Sequence, residues 1–263
     1  MHPNINETDI RVARVQDAYQ IYDLLVEAFG GRYLPYTVFQ SPLSVIYLQR
    51  LIRQGVEQSS HIFHVTERFS GVKGFYNAVV RQRDFFLNYI AVCKSERSVG
   101  VGQALLNHFE AHGTFLGCRQ YVLDVFESNQ TAYRWYLKHG YFLDSMNFQV
   151  RLSTAQGATK KNRPMRLTKE DLQTAMKEEQ AQGFSKVDGR YEAGQITVGL
   201  IAGRACKLLT YQNIELVEAV EAVCARFQSD RTELIIPALP VLPTNWSILD
   251  SEKTLRLIKP VTS

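Results

Sequence analysis

The sequence predicts an α/β (α+β) fold followed by a smaller α+β domain, and three observations carry that prediction. Short apolar or alternating runs are interleaved with stretches whose apolar residues recur at helical spacing. A glycine-bearing loop, Arg97-Ser98-Val99-Gly100-Val101-Gly102, joins a strand pattern to a helix pattern. A polar stretch without periodicity, residues 153 to 164, then separates a first domain, 1–152, from a second, 165–263.

The first strand pattern, Ile10 to Val15, leads into a helix whose face carries Ile21, Leu24, Leu25, Ala28 and Phe29. Gly30-Gly31 closes it, because glycine accepts the left-handed geometry of a helix end. A second helix pattern runs from about Pro42 to Gln54, and strand patterns follow near His61 to Thr66, Val72 to Val80 and Phe85 to Val92. Val101 to His112 returns to helical spacing, and Gln120 to Phe126 is a strand. In the next helix Asn129, Ala132, Tyr133 and Tyr136 share one face, with Gly140 at the stop position. Tyr141 to Leu152 is the last strand of the first domain. The linker contains Gly, Pro, Lys160, Lys161 and Arg163, a cluster short enough to be simply solvated. The second domain opens with Met165-Arg-Leu-Thr-Lys-Glu-Asp171-Leu, an echo of Ile10-Arg-Val-Ala-Arg-Val-Gln-Asp17-Ala. It ends with a helix at Leu216 to Phe227, a strand at Glu233 to Ile236, and Thr254 to Pro260.

At 263 residues with 45% hydrophobic content the chain can bury a substantial core. Thirty basic against 26 acidic residues leave a formal charge of +4, too balanced for a dedicated nucleic-acid surface. No apolar run spans a membrane and the N-terminus lacks the regions of a signal peptide, so a cytoplasmic location is expected. Cys93, Cys118, Cys206 and Cys224 form no CxxC pair and cluster with no histidine, which argues for free thiols and against zinc.

A strand that turns into a helix through a glycine loop aims several backbone N–H groups at one point, where the helix dipole adds positive charge. Such a loop binds phosphate, and Cβ atoms at Gly100 and Gly102 would obstruct a close approach or exclude positive φ. A dinucleotide site is the first competitor, with Asp124 standing at about the expected acid position ~20 residues on. Two features oppose it: the third glycine position is Leu105, and the charged loop Cys93-Lys94-Ser95-Glu96 intervenes before the first glycine. No GxxxxGK[ST] loop is present.

The RxxGxG loop and the downstream Asn129-x-x-Ala132-Tyr133-x-x-Tyr136 helix together resemble the GNAT superfamily of acyl-CoA-dependent N-acyltransferases, over roughly residues 8 to 150. The resemblance implies a mixed central sheet flanked by helices, acetyl-CoA as acyl donor and a primary amine as acceptor, with no metal. It implies that Arg97, Ser98, Val99, Gly100, Val101 and Gly102 cradle the pyrophosphate. The strand to Val92 would pair with the pantetheine arm, with a main-chain N–H among Ile90, Ala91 and Val92 polarising the thioester carbonyl. Tyr136 would protonate the leaving thiolate, and Asn129 would touch the pantetheine arm in addition to capping its helix. The base stays open. Several members carry a glutamate where this chain has Phe86; Asp84, Glu127 and His64 are candidates, and water relay or an acceptor of low pKa would serve as well.

The loop Gly30-Gly-Arg32-Tyr33-Leu-Pro-Tyr36-Thr-Val-Phe39 would flank the acceptor in this family. The second domain shows neither cofactor motif; it reads as a degenerate GNAT-like repeat without a cofactor site, against an unrelated α+β domain. A non-catalytic acyl-CoA sensor or scaffold, and a peptide-modifying module, compete with the small-molecule acetyltransferase. A homodimer is compatible with all three.

Overall fold

In a computed structural model of the chain, residues 10–68, 71–154, 164–192, 194–227, 229, 231–237 and 247–261 are described. Most of the linker at 153–164 therefore lies outside the described residues. Along the chain the elements are β1 (Ile10–Val12), α1 (Ala18–Tyr33), α2 (Ser44–Ser59), β2 (His61–Arg68), β3 (Gly71–Arg81), β4 (Asp84–Val92), α3 (Val101–Phe115), β5 (Gln120–Phe126), α4 (Gln130–Lys138) and β6 (Phe142–Ser153). There follow α5 (Lys169–Gln182), β7 (Phe184–Tyr191), β8 (Gly194–Ile201), β9 (Ala205–Gln212), α6 (Leu216–Phe227), β10 (Glu233–Pro237) and β11 (Ile248–Pro260).

Contacts sort the chain into two compact units that do not follow chain order. Met1–Leu34, Val45–Met146 and Thr254–Ser263 form the first, and Pro35–Ser44 with Asn147–Lys253 form the second. The boundary at 152 and 165 divides the chain by covalent order, whereas these units are defined by what touches what.

In the first unit β1 to β4 are antiparallel neighbours, β4 pairs with β5 in parallel, and β5 pairs antiparallel with Thr254–Pro260 of β11. The parallel step requires a crossover, and α3 supplies it. Leu105, Leu106 and Phe109 of α3 pack with Phe85, Leu87, Leu123 and Val125 in one buried cluster. Two glycines let the helix settle this close: a Cβ at Gly74 would stand 2.9 Å from Leu105, and one at Gly113 only 2.6 Å from Phe85. The predicted helix stop at Gly30 is a break instead. Gly30 takes φ +50°, and helical geometry resumes as far as Tyr33.

The second unit repeats this connectivity. β7, β8 and β9 are antiparallel, α6 crosses over, β10 pairs with β9 in parallel, and the end of β6 pairs antiparallel with β10. Each unit thus receives its last antiparallel strand from a segment remote in chain order. The echo at Met165 has shrunk: Arg166 makes a single bridge to Arg190 in place of a strand. A second buried cluster, including Val187, Val198, Leu208, Val220, Val223 and Leu234, forms this unit's core. Beside it Glu179 and Arg231, both 4% exposed, form a buried two-pronged ion pair.

Candidate active site

The site is built on an irregularity in β4. Asn77 of β3 pairs with Tyr89 and Ala78 with Leu87, so Asn88 is an extra residue in β4. Asn77, 1% exposed, supports this bulge: its side chain accepts from Asn88 at 2.8 Å and donates to the Ile62 carbonyl at 3.1 Å. The parallel ladder with β5 ends at Leu87 opposite Leu123, although β4 runs on to Val92 and β5 to Phe126. A bulge bends its strand and increases local twist, which is why pairing stops there. The Asn88–Val92 edge is left without a ladder partner on β5.

At the C-terminal end of β4 the chain turns into α3 through two left-handed residues, Ser98 with φ +65° and Gly100 with φ +95°. Alternation of this kind points successive N–H groups inward, making an anion-binding concavity. The first donor the helix itself uses is Ala104, bonded to the Gly100 carbonyl at 2.9 Å, so the N–H groups of Val101, Gly102 and Gln103 face out of the helix end. No acidic residue lies in that first turn. The Arg97 guanidinium turns back instead, donating to the Val92 carbonyl at 3.0 Å and pairing with Glu27 at 3.3 Å. Glu27 also accepts from the Lys94 N–H at 2.7 Å, so α1 fixes the loop's shape. A Cβ at Gly100 would meet nothing within 4 Å, so the requirement there is φ; at Gly102 a Cβ would lie 3.6 Å from Trp135 of α4. The space argument for these glycines therefore concerns helix packing at 102 and backbone conformation at 100.

Trp135 against Gly102, and a hydrogen bond from His139 to Gln103, hold α4 to α3. Asn129 caps α4 by accepting from Ala132 N–H at 3.2 Å. Tyr136, 6% exposed, packs against Trp135 and Tyr141 with ring centroids at 5.0 and 5.7 Å. Burial pushes its phenol above the ordinary value of 10, so the hydroxyl keeps its proton at neutral pH. Among the described residues that hydroxyl has no hydrogen-bond partner.

The structure brings Ile90, Ala91, Val92 and residues 97 to 102 to one end of β4. Glu127 follows β5 at that same end, one residue past Phe126, which stacks on Tyr33 at 4.5 Å. Asp84 begins β4 at the opposite end, accepting from Gln120 at 2.9 Å, six residues and about 20 Å of strand from Ile90. His64 lies on β2 in a separate pocket with His108 and His112, stacked on Tyr76. Burial first, then the two neighbouring histidines, pull it down to about 3. Sequence reasoning passed over Asn77, Asn88 and Glu27. Of these only Asn77 left a signal, a polar residue inside the apolar run Phe75-Tyr76-Asn77-Ala78-Val79.

The bulged strand, the shortened ladder and the glycine-capped crossover helix define an acyltransferase fold. Residues 18–141 carry a domain that matches the family model of the acetyltransferase (GNAT) family. A tandem GNAT protein from the clavulanic acid biosynthesis pathway matches 97% of this chain and 98% of its own at a TM-score of 0.65 and 9% identity. A GCN5-related N-acetyltransferase from Sphaerobacter thermophilus matches 97% of this chain and 96% of its own at a TM-score of 0.63 and 12% identity. At these identities the likeness is one of fold, and it extends the GNAT fold over both units. No curated protein sequence matches the chain. No helix among the described residues is long and apolar enough to cross a membrane.

Proposed function

We propose that this protein transfers acetyl from acetyl-CoA to a primary amine of a small molecule or peptide by direct attack. The observation that carries the proposal is the early end of the β4–β5 ladder at Leu87 and Leu123, beside the outward-facing N–H groups of the α3 N-terminus. The unpaired edge of β4 suits the two amides of a pantetheine arm, and the Ser98–Gly100 concavity with the first turn of α3 suits a pyrophosphate. A main-chain N–H among Ile90, Ala91 and Val92 would polarise the thioester carbonyl, an effect of ~3 kcal/mol in comparable sites. Tyr136, neutral and without a partner for its hydroxyl, would donate a proton to the departing thiolate. Glu127 is the best placed of the three candidate bases, since Asp84 stands at the far end of β4 and His64 lies in a pocket with His108 and His112.

The second unit would bind no acyl-CoA. The turn between β9 and α6 holds Glu215, and Glu218 lies in the first turn of α6, where negative charge opposes phosphate. Pro35–Ser44 belongs to this unit, with Lys207 donating to the Tyr36 carbonyl at 2.6 Å and Arg204 to Gln40 at 3.2 Å. Four free cysteines accord with a cytoplasmic setting.

One feature favours the sensor or scaffold reading: Phe86 stands where the family resemblance leads one to expect a glutamate. Acetyl-CoA affinity by calorimetry, together with thiol release against a panel of amines and N-terminal peptides, separates the two. Tight binding with no acceptor-dependent thiol release supports the sensor, and absence of saturable binding refutes both.

A further inference from the structure

The α1-facing side of the sheet between β4 and β5 carries an unusual set of charges. Tyr121, Leu123 and Val125 of β5 point into the α3 core, so Val122, Asp124 and Phe126 face the other way, and Phe126 stacks there on Tyr33 of α1. Asp124 is the first β5 residue beyond the ladder, level with the Asn88 bulge. Beside Val122 lies Phe86 of β4, on the same face. Two guanidinium groups flank the Phe86 ring, Arg81 at 3.9 Å and Arg256 at 5.9 Å from its centroid.

The two arginines are differently engaged. Arg256 is bidentate to Asp124, both bonds 2.9 Å, and both side chains are about a third exposed at 36% and 32%. Arg81 is exposed and makes no hydrogen bond or ion pair among the described residues. Partial burial of its guanidinium over the Phe86 ring, then the neighbouring Arg256 charge, lower its pKa, while Asp124 and Asp84 act the other way. An arginine placed beside a second guanidinium with no carboxylate of its own is a position for an incoming anion. Asp124 still offers lone pairs to an incoming cation, about two strand residues, or ~7 Å, from Ile90.

Resting on the acetyltransferase reading above, we propose that the acceptor is a primary amine carrying a distal carboxylate, with Asp124 receiving the amine end and Arg81 the carboxylate across the Phe86 ring. The ammonium group releases one proton to water at Asp124. The free amine then forms the C–N bond as the C–S bond breaks. Tyr136 gives its proton to the sulfur and regains one from the nitrogen through water, so amide and free thiol leave with one proton released. Counted along the strand from Asn88, level with Asp124, to Phe86, amine and carboxylate are separated by roughly 7 Å, which excludes α-amino acids as the preferred class.

The test uses the full chain, acetyl-CoA, a series of ω-amino acids of increasing length and n-alkylamines of matched length. The expected result is a kcat/KM at least about tenfold higher for the longer ω-amino acids than for their alkylamine counterparts. In Arg81→Met, shown folded by its melting transition, that ratio should fall toward one, and Arg81→Lys should restore part of it. Asp124→Asn should raise KM for both series more than it changes acetyl-CoA affinity. A purely structural Asp124–Arg256 pair would lower the melting temperature and leave KM for both series unchanged, which would overturn the role given to Asp124. Equal efficiency for the two series, a preference that survives Arg81→Met, or no turnover of either series by protein that binds acetyl-CoA each overturns the inference. Loss of acetyl-CoA binding in the wild-type protein would instead overturn the proposed function beneath it.

Discussion

Replacing Tyr136 with phenylalanine removes one oxygen atom and nothing else, and the surroundings make its consequences separable. The ring contacts with Trp135 and Tyr141 survive the change, and no described residue loses a hydrogen-bond partner. Folding stability should therefore move by no more than ~0.5 kcal/mol, the usual size of a change that creates neither a cavity nor an orphaned polar group. Catalysis should move much more. Loss of a general acid costs ~100-fold in rate, about 2.7 kcal/mol of barrier. Because burial holds the phenol above 10, the wild-type rate should show no descending limb from this group below pH 10. The assay is thiol release with a cognate amine, acetyl-CoA affinity by calorimetry and chemical denaturation, run on wild type, Tyr136→Phe and Tyr136→Ala. The alanine variant calibrates packing and should lose ~3–5 kcal/mol of stability. Turnover in Tyr136→Phe within a factor of two of wild type would assign the proton donation elsewhere. A stability loss comparable to that of Tyr136→Ala would show that the hydroxyl is structural.

Three further outcomes follow from the fold. Gly100→Val places a β-branched residue at φ +95°, so acetyl-CoA affinity should weaken by more than about tenfold, while Gly102→Ala, with 3.6 Å to Trp135, should be far milder; equal effects measured by calorimetry would contradict this division. A chain ending at Ser153 loses the seven-residue ladder of Thr254–Pro260 on β5 and the buried Leu255 and Leu257, so it should be insoluble or melt far below the full chain; a soluble, fully stable truncation by light scattering and calorimetry would refute the strand assignment. His64 has a folded pKa of about 3 against 6.5 unfolded, so on acidification the unfolded state takes up the proton first. Its contribution is fully present above about 6.5 and declines as pH falls toward 3, by at most ~1.4 kcal/mol per pH unit; His64→Gln should flatten that part of the stability profile, and an unchanged slope would place the acid sensitivity elsewhere.

Much of the first unit was legible in the sequence because its signals are local. Period-two alternation, helical spacing and the glycine loop depend on neighbours in the chain, and strands at 61–68, 71–81, 84–92 and 120–126 stand close to their predicted positions. Backbone chemistry at Gly100 is local too, since a left-handed φ is imposed by the turn itself. The strands at 184–212 escaped prediction because glycines and charged residues interrupt their alternation, as in Lys186-Val187-Asp188-Gly189-Arg190.

What only the tertiary structure decided is where segments far apart in the chain meet. The exchange of last strands, β11 onto β5 and β6 onto β10, leaves no periodic mark, because an antiparallel partner is selected by shape and burial across more than a hundred residues. The bulge at Asn88 required Asn77 from the neighbouring strand, and Asp124, which in the sequence figured only in the dinucleotide reading that the motif spacing opposes, is placed on the α1-facing side of the sheet by its ion pair with Arg256. The sequence by itself determined most elements of the first unit, the left-handed turn at the glycine loop and the family resemblance, since these are written within a few consecutive turns. Register, strand exchange and the charges gathered around Phe86 came from packing, in which long-range contacts rather than local propensity decide which side chains share a face.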